Sequence, residues 1–146
     1  MILLVIILVG LSLIGITVLV HYEALRITGK LLPGLPIRAR QRVLVVIFAC
    51  LLAHIIEVSI YAATYALLLR FDGFGSIDGL FDGTVTDFLY FSLTSYTTLG
   101  IGEVHPVGPI RMIAGLEALN GFLLITWSAS FTYLMMQRYW HPEREH

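Results

Sequence analysis

The chain has 146 residues, 58% hydrophobic and 13% charged, with a formal net charge of −1. Soluble domains carry about 25% charged residues, so this composition implies an integral membrane protein with too little polar chain for a separate soluble domain. No basic patch with interleaved aromatics is present, which excludes nucleic acid as a partner. The lone cysteine, Cys50, excludes disulfide scaffolds and multi-cysteine metal sites. In its apolar run that thiol reads as packed and inert.

Residues 1–20 are almost wholly apolar and long enough to cross a bilayer. A cleaved signal peptide would carry a basic n-region and a small-residue cleavage site. Here apolar residues follow Met1 at once, and His21, Tyr22 and Glu23 close the run, so a retained first transmembrane helix is expected. Residues 21–42 carry Arg26, Lys30, Arg38, Arg40 and Arg42 against Glu23 alone. Positive-inside reasoning makes them a basic cytoplasmic loop. Pro33, Gly34 and Pro36 forbid one continuous helix through it. Residues 24–32 are either a short interfacial helix or part of an anchored loop, and the loop is the simpler expectation.

Residues 43–69 form the second span, running outward. Residues 70–86 are acidic, and Asp72-Gly73, Asp78-Gly79 and Asp82-Gly83 are turn signals. Their aspartates lack the alternate spacing of a calcium loop. The acidity places this loop outside, where a ring of chains would surround the mouth with negative potential. Thr84-Val85-Thr86-Asp87 resembles a capping box, which starts a helix near Asp87. Residues 87–97 are too short to span and fit a re-entrant pore helix. Its C-terminal end would point into the membrane, with a partial negative charge that favours a cation.

Thr94-Ser95-Tyr96-Thr97-Thr98-Leu99-Gly100-Ile101-Gly102-Glu103 is polar and glycine-containing, yet lies between long apolar segments. A bilayer admits non-helical backbone only where protein buries it or it lines a wet cavity. Gly100 and Gly102 alternate with Leu99 and Ile101, and glycine reaches positive φ at little steric cost. Alternating handedness turns successive carbonyls to one side, with the Thr98 hydroxyl at the inner end of the column. Rings of such oxygens replace a cation's hydration shell. A turn-rich exit closes residues 87–109. Residues 110–146 supply a third span running inward and a short cytoplasmic tail with Arg138 and Arg144. The N-terminus is then outside and the C-terminus cytoplasmic. No helix carries arginine at every third position, which argues against a voltage sensor. The tail is too short for a ligand-binding gating domain. Nothing resembles a nucleophile–base pair or a phosphate loop, so no enzyme is expected.

Thr97-Thr98-Leu99-Gly100-Ile101-Gly102-Glu103 resembles the T-T-V-G-Y-G-D signature of the tetrameric potassium-channel superfamily, and the likeness covers residues 87–136. The resemblance implies an all-α membrane protein with three transmembrane helices, a re-entrant pore helix and a filter loop per chain, assembled as a homotetramer in the bilayer. The second and third spans become the outer and inner pore helices, and the first is an addition to them. Backbone carbonyls of Thr98, Leu99, Gly100 and Ile101, with the Thr98 hydroxyl, would bind dehydrated potassium or another monovalent cation. Gly102 completes the backbone path. No cofactor or metal beyond the permeant cation is implied. Glu103, Tyr90, Phe91 and Thr94 would support the filter, with Tyr90, Phe91 and Tyr96 packed around it. Tyr90 and Phe91 stand where the family often has tryptophans. Gly121 matches a gating-hinge glycine, and glycine also permits close helix packing. Ile101 replaces an aromatic residue whose ring hydroxyl braces the filter, which opens a second reading, a weakly selective monovalent cation channel.

Three ionisable residues lie inside the spans. An ionised group there costs on the order of 2.5–3.5 kcal/mol, so Glu117 demands partners. His54 and Glu57, three apart, share one helix face with Tyr61. One economical hypothesis joins His54, Glu57 and Glu117 in a buried network behind the pore that could sense pH; the simpler expectation is a local His54–Glu57 bond that staples helices. A third class of reading takes His54 and Glu57 as metal ligands, joined by Glu117 or His21, in a non-conducting metal- or partner-binding scaffold. Asn120 faces the cavity or bonds to a neighbouring helix. His105 is a turn residue or a titrating group at the outer mouth. Ser128 and Ser130 line the cavity or let helices approach, and Tyr133, Tyr139 and Trp140 read as an interfacial belt.

Overall fold

The computed structural model describes residues 1–140, so Arg144 and the rest of the tail lie outside the described residues. Three helices of 30 residues each, α1 (Ile2–Leu31), α2 (Ala39–Leu68) and α4 (Arg111–Trp140), pack against one another. At 1.5 Å per residue each is about 45 Å long, more than the hydrocarbon core requires. All three are apolar enough to cross a membrane. A 12-residue helix, α3 (Val85–Tyr96), docks on both α2 and α4. It is about 18 Å long and does not span. The all-α, three-span architecture with one re-entrant helix is therefore present.

Each span buries a stripe and leaves much of its remaining apolar surface exposed. In α1 the stripe is Ile6, Gly10, Leu13, Thr17, His21, Leu25 and Thr28, spaced by three or four residues as one helix face requires. Leu4, Leu8, Leu11 and Leu19 lie off it and are exposed. One apolar cluster, including Leu13, Tyr61, Tyr65, Phe91, Ile113 and Leu124, packs α1, α2, α3 and α4 together. A second, with Leu25, Leu32, Val43, Cys50 and Tyr139, lies toward the turn between α1 and α2. Cys50 is a buried free thiol there.

Several boundaries differ from those read in the sequence. The basic loop expected at residues 21–42 is mostly helical. α1 continues to Leu31, and a single 3₁₀ turn (Leu32–Gly34) follows. Charge does not end a helix. Glu23 and Arg26 pair on its surface at 2.7 and 2.8 Å, and the helix stops only where Pro33 removes a donor. α2 starts at Ala39, and the Gln41 side chain accepts from the Arg38 backbone N–H at 3.1 Å. Arg42 donates to the carbonyls of Pro33 and Leu35 and lies 5.2 Å from the Tyr139 ring centre. One guanidinium thus fastens the α1–α2 turn to the far end of α4. Tyr139 is buried by this contact and leaves the expected belt, whereas Tyr133 and Trp140 are exposed.

The acidic loop and the filter exit also hold more order than turns. Strand β1 (Ser76–Gly79) pairs antiparallel with β2 (Val104–Val107), with Asp78 opposite His105. His105 is therefore a strand residue. Gly73, Gly79 and Gly83 all have positive φ, as the Asp-Gly turns require. At Gly79 any Cβ would strike the Glu103 carbonyl.

α3 begins two residues earlier than Asp87, because Thr84 is its N-cap and Asp87 its third residue. The Asp87 backbone N–H donates to Thr84 Oγ1 at 3.2 Å, and Asp87 Oδ2 accepts from the Thr84 N–H at 3.0 Å. Those bonds, the Thr84 backbone N–H first, hold the Asp87 carboxyl below the ordinary carboxylate range. A depressed folded-state pKa adds stability above the unfolded value, and this is lost as the pH falls through the folded value. Thr84→Ala should cost about 1 kcal/mol. Asp87→Ala should lower the melting temperature at neutral pH, and the gap to wild type should close in acid. Thermal melts of detergent-solubilised protein across pH check both.

Candidate functional site

The segment from Thr97 to Glu103 leaves the C-terminal end of α3 and runs to β2. Thr98, Gly100 and Gly102 have φ of 58°, 54° and 86°, whereas Leu99 and Ile101 do not adopt positive φ. Handedness therefore alternates residue by residue. Threonine is β-branched and uncommon in this region, at a cost of about 1–3 kcal/mol. The strain is held locally. The Thr94 carbonyl accepts from the N–H groups of Leu99 at 3.0 Å and Gly100 at 3.4 Å, and the Ser95 carbonyl accepts from Thr98 at 3.0 Å. Leu99 and Ile101 are 65% and 52% exposed, and an added Cβ at Gly100 or Gly102 would meet nothing.

The outer end of the segment is braced twice. The Tyr90 hydroxyl donates to Glu103 Oε2 at 3.3 Å, and the Glu103 carbonyl accepts from the Leu80 N–H at 2.9 Å. Thr94 Oγ1 donates to the Phe91 carbonyl. Phe91 itself lies in the core, edge-on to Tyr65 with ring centres 4.9 Å apart. Its place in the expected aromatic cuff goes unfilled, because its side chain leaves α3 on the face that meets α2 and α4.

The inner end is anchored by Tyr96, fully buried at the last turn of α3. Its hydroxyl donates to Glu57 Oε2. Its backbone carbonyl lies so close to Gly121 that any Cβ there would collide with it. This approach accounts for the glycine by packing.

The ionisable residues form two clusters: the local His54–Glu57 bond is present, and Glu117 stands apart from it. In the first, Glu57 accepts from Nδ1 of His21 at 2.9 Å, Nδ1 of His54 at 3.1 Å and the Tyr96 hydroxyl. The two imidazoles lie with centres 5.1 Å apart, and Nε2 of each comes within 3.0–3.2 Å of Ser128 Oγ. In the second, Glu117 accepts from the Tyr65 hydroxyl at 2.6 Å and lies within hydrogen-bonding distance of Ser92, whose oxygen is also 2.9 Å from the Val58 carbonyl. One hydroxyl proton cannot serve both acceptors, so a neutral Glu117 donating to Ser92 satisfies all three groups. Asn120 bonds to two neighbouring helices, donating to Thr17 of α1 at 2.7 Å and to Tyr61 of α2 at 3.2 Å.

His21 belongs to the first cluster and was read in the sequence mainly as the residue closing the first apolar run. The signal for it was the i+4 spacing of Leu13, Thr17, His21 and Leu25, one continuous stripe if the helix runs on.

Three apolar spans, a re-entrant helix and a loop of alternating handedness define a pore-loop membrane protein. Residues 43–138 match the family model described as ion channel. The chain belongs to that family, within the potassium-channel superfamily. An uncharacterized protein of Methanothermus fervidus is 36% identical over 81 residues, 53% of this chain and 13% of that protein. The inward rectifier potassium channel Kirbac3.1 of Paramagnetospirillum magnetotacticum is 37% identical over 57 residues, 38% of this chain and 19% of that protein. The matches thus cover less than a fifth of either relative's length. No solved structure matches the chain.

Two substitution pairs test this packing. Gly121→Ala should destabilise by roughly 1–3 kcal/mol through overpacking on Tyr96. Gly115→Ala meets open space and should gain up to about 1 kcal/mol from helix propensity. Glu117→Gln keeps a donor for Ser92 and an acceptor for Tyr65, and should stay within about 0.5 kcal/mol of wild type. Glu117→Leu strands both partners and should cost about 1–3 kcal/mol for each. Denaturation of the purified protein measures all four.

Proposed function

We propose that four copies of this chain assemble around residues 98–102 and conduct potassium passively through the ring of their backbone carbonyls. The observation that carries this reading is the alternation of φ at Thr98, Gly100 and Gly102. It is the backbone condition for stacking carbonyl oxygens along one side of a segment, and such rings can take the place of a cation's water shell. The C-terminal end of α3, with its partial negative charge, stands at the inner end of the same segment. The likeness to Kirbac3.1, a potassium channel by name, agrees with the choice of ion.

The same architecture with weak selectivity among monovalent cations is the second reading. What favours it is the side-chain brace. At each filter it consists of one 3.3 Å hydrogen bond from Tyr90 to Glu103, and Ile101 brings no hydroxyl. Inner-helix motion, if it gates the pore, would act on the filter through the contact between Gly121 and Tyr96. The N-terminus outside and the C-terminus in the cytoplasm accord with the basic α1–α2 turn and the acidic loop at opposite ends of the spans.

Ion flux into liposomes tests the proposal. Potassium flux should exceed sodium flux in wild type. Equal fluxes would transfer the conclusion to the weakly selective channel, and absent flux from intact tetramers would reject conduction. Tyr90→Phe removes a bond of about 1 kcal/mol from each chain, and should lower the potassium-to-sodium ratio severalfold. A tag at the N-terminus should be accessible from outside; cytoplasmic accessibility would reverse the orientation.

A further inference from the structure

Glu57 and His21 are fully buried, and the His54 side chain is 16% exposed. Among the described residues, no lysine or arginine pairs with Glu57. A carboxylate in a membrane interior is costly without a countercharge. Only a proton on an imidazole or a bound cation supplies one here.

The donor atoms are already gathered. Ligating atoms of His21, His54 and Glu57 all lie within 4.8 Å of one another. Tyr96 adds its hydroxyl, 2.9 Å from His54 Nδ1 and bonded to Glu57. In a tetrahedral zinc shell with bonds of about 2.0–2.1 Å, neighbouring ligand atoms are about 3.3 Å apart. The His21 contact, 2.9 Å, is to Oε1 of Glu57 and the His54 contact, 3.1 Å, is to Oε2, so the carboxylate would take the ion through one oxygen or both as these contacts open.

The far sides of the rings agree. A ligating imidazole carries its proton on the other nitrogen and donates it to an outer partner. Nε2 of both histidines converges on Ser128 Oγ, and a hydroxyl oxygen has two lone pairs to accept both. Two neutral, metal-free imidazoles that donate from Nδ1 to Glu57 would instead compete for the single Ser128 proton. His54, Tyr96 and Ser128 also line a largely apolar cavity of about 740 Å³.

We propose that Nδ1 of His21, Nδ1 of His54 and the Glu57 carboxylate, with the Tyr96 hydroxyl as fourth ligand, form a site for one first-row divalent cation of the zinc type. Imidazole nitrogen favours such an ion over magnesium or calcium. The site is separate from the filter. It ties α1, which precedes the family-matched residues 43–138, through α2 to the residue before the filter threonines. The bound ion therefore clamps the added helix to the pore helix.

Metal binding needs no conduction, so its outcome is independent of the proposed flux. Untagged protein, purified in detergent and stripped with chelator, is titrated with Zn²⁺ and with Co²⁺. One ion should bind per chain, and Co²⁺ should show the intense absorption of a four-coordinate centre. His21→Gln and Glu57→Gln should abolish binding, and Ser128→Ala should weaken it about 10- to 100-fold. His105→Ala, which removes an exposed surface histidine, should change nothing. His54→Gln, at the partly exposed edge of the cluster, carries the test if the buried variants fail to fold, as judged by helicity and elution volume. Absent binding in wild type would overturn the site and leave a proton as the countercharge. A six-coordinate Co²⁺ spectrum, or full stoichiometry in folded Glu57→Gln, would overturn it as well.

Discussion

The docking of Tyr96 is the contact on which the irregular segment 97–103 depends. Membrane interiors tolerate irregular backbone only when protein holds it, and residues 97–103 are irregular by design. Tyr96 fastens the start of that segment in two ways. Its carbonyl side lies against Gly121, where only a missing Cβ allows the approach, and its hydroxyl is bonded to Glu57. From this fixed point the Thr94 and Ser95 carbonyls can receive the N–H groups of Thr98, Leu99 and Gly100. The left-handed Thr98 is affordable because its neighbours on both sides are already bonded.

The carboxylates and the amide inside the bundle take partners from other helices. Glu57 on α2 takes His21 from α1 and Tyr96 from α3. Glu117 on α4 takes Tyr65 from α2 and Ser92 from α3. Asn120 on α4 takes Thr17 from α1. An apolar bundle in lipid has little hydrophobic force to choose its register, so interhelical hydrogen bonds and small residues do so.

The outer surface contributes rigidity of another kind. The β1–β2 pair and the bond from Leu80 to the Glu103 carbonyl tie the filter exit to the loop after α2. Residues 97–103 are thus held at the inner end by Tyr96 and the Thr94 and Ser95 carbonyls, and at the outer end by the Leu80 N–H and the Tyr90 hydroxyl. Ile101 and Leu99 stay exposed between these anchors.

Much of this was legible in the sequence, for reasons of chemistry that act locally. Apolar runs of about 20 residues must be spans. Thr84 and Asp87 announce a helix start, Asp-Gly pairs announce turns, and Gly100 and Gly102 announce a path that only glycine takes cheaply. Helix ends were less legible where charge mimicked a boundary, since His21, Glu23 and Arg26 sit comfortably on a helix that only Pro33 ends. What tertiary structure alone decided was partnership. His54 and Glu57 share a face by spacing, but whether His21, Tyr96 or Glu117 completes their cluster depends on how far α1 continues and at what height α3 docks. Phe91 turns inward and Tyr90 outward for the same reason. Periodicity specifies a face and never the neighbour across from it, because the neighbour is set by helix register, and register is set by these buried contacts themselves.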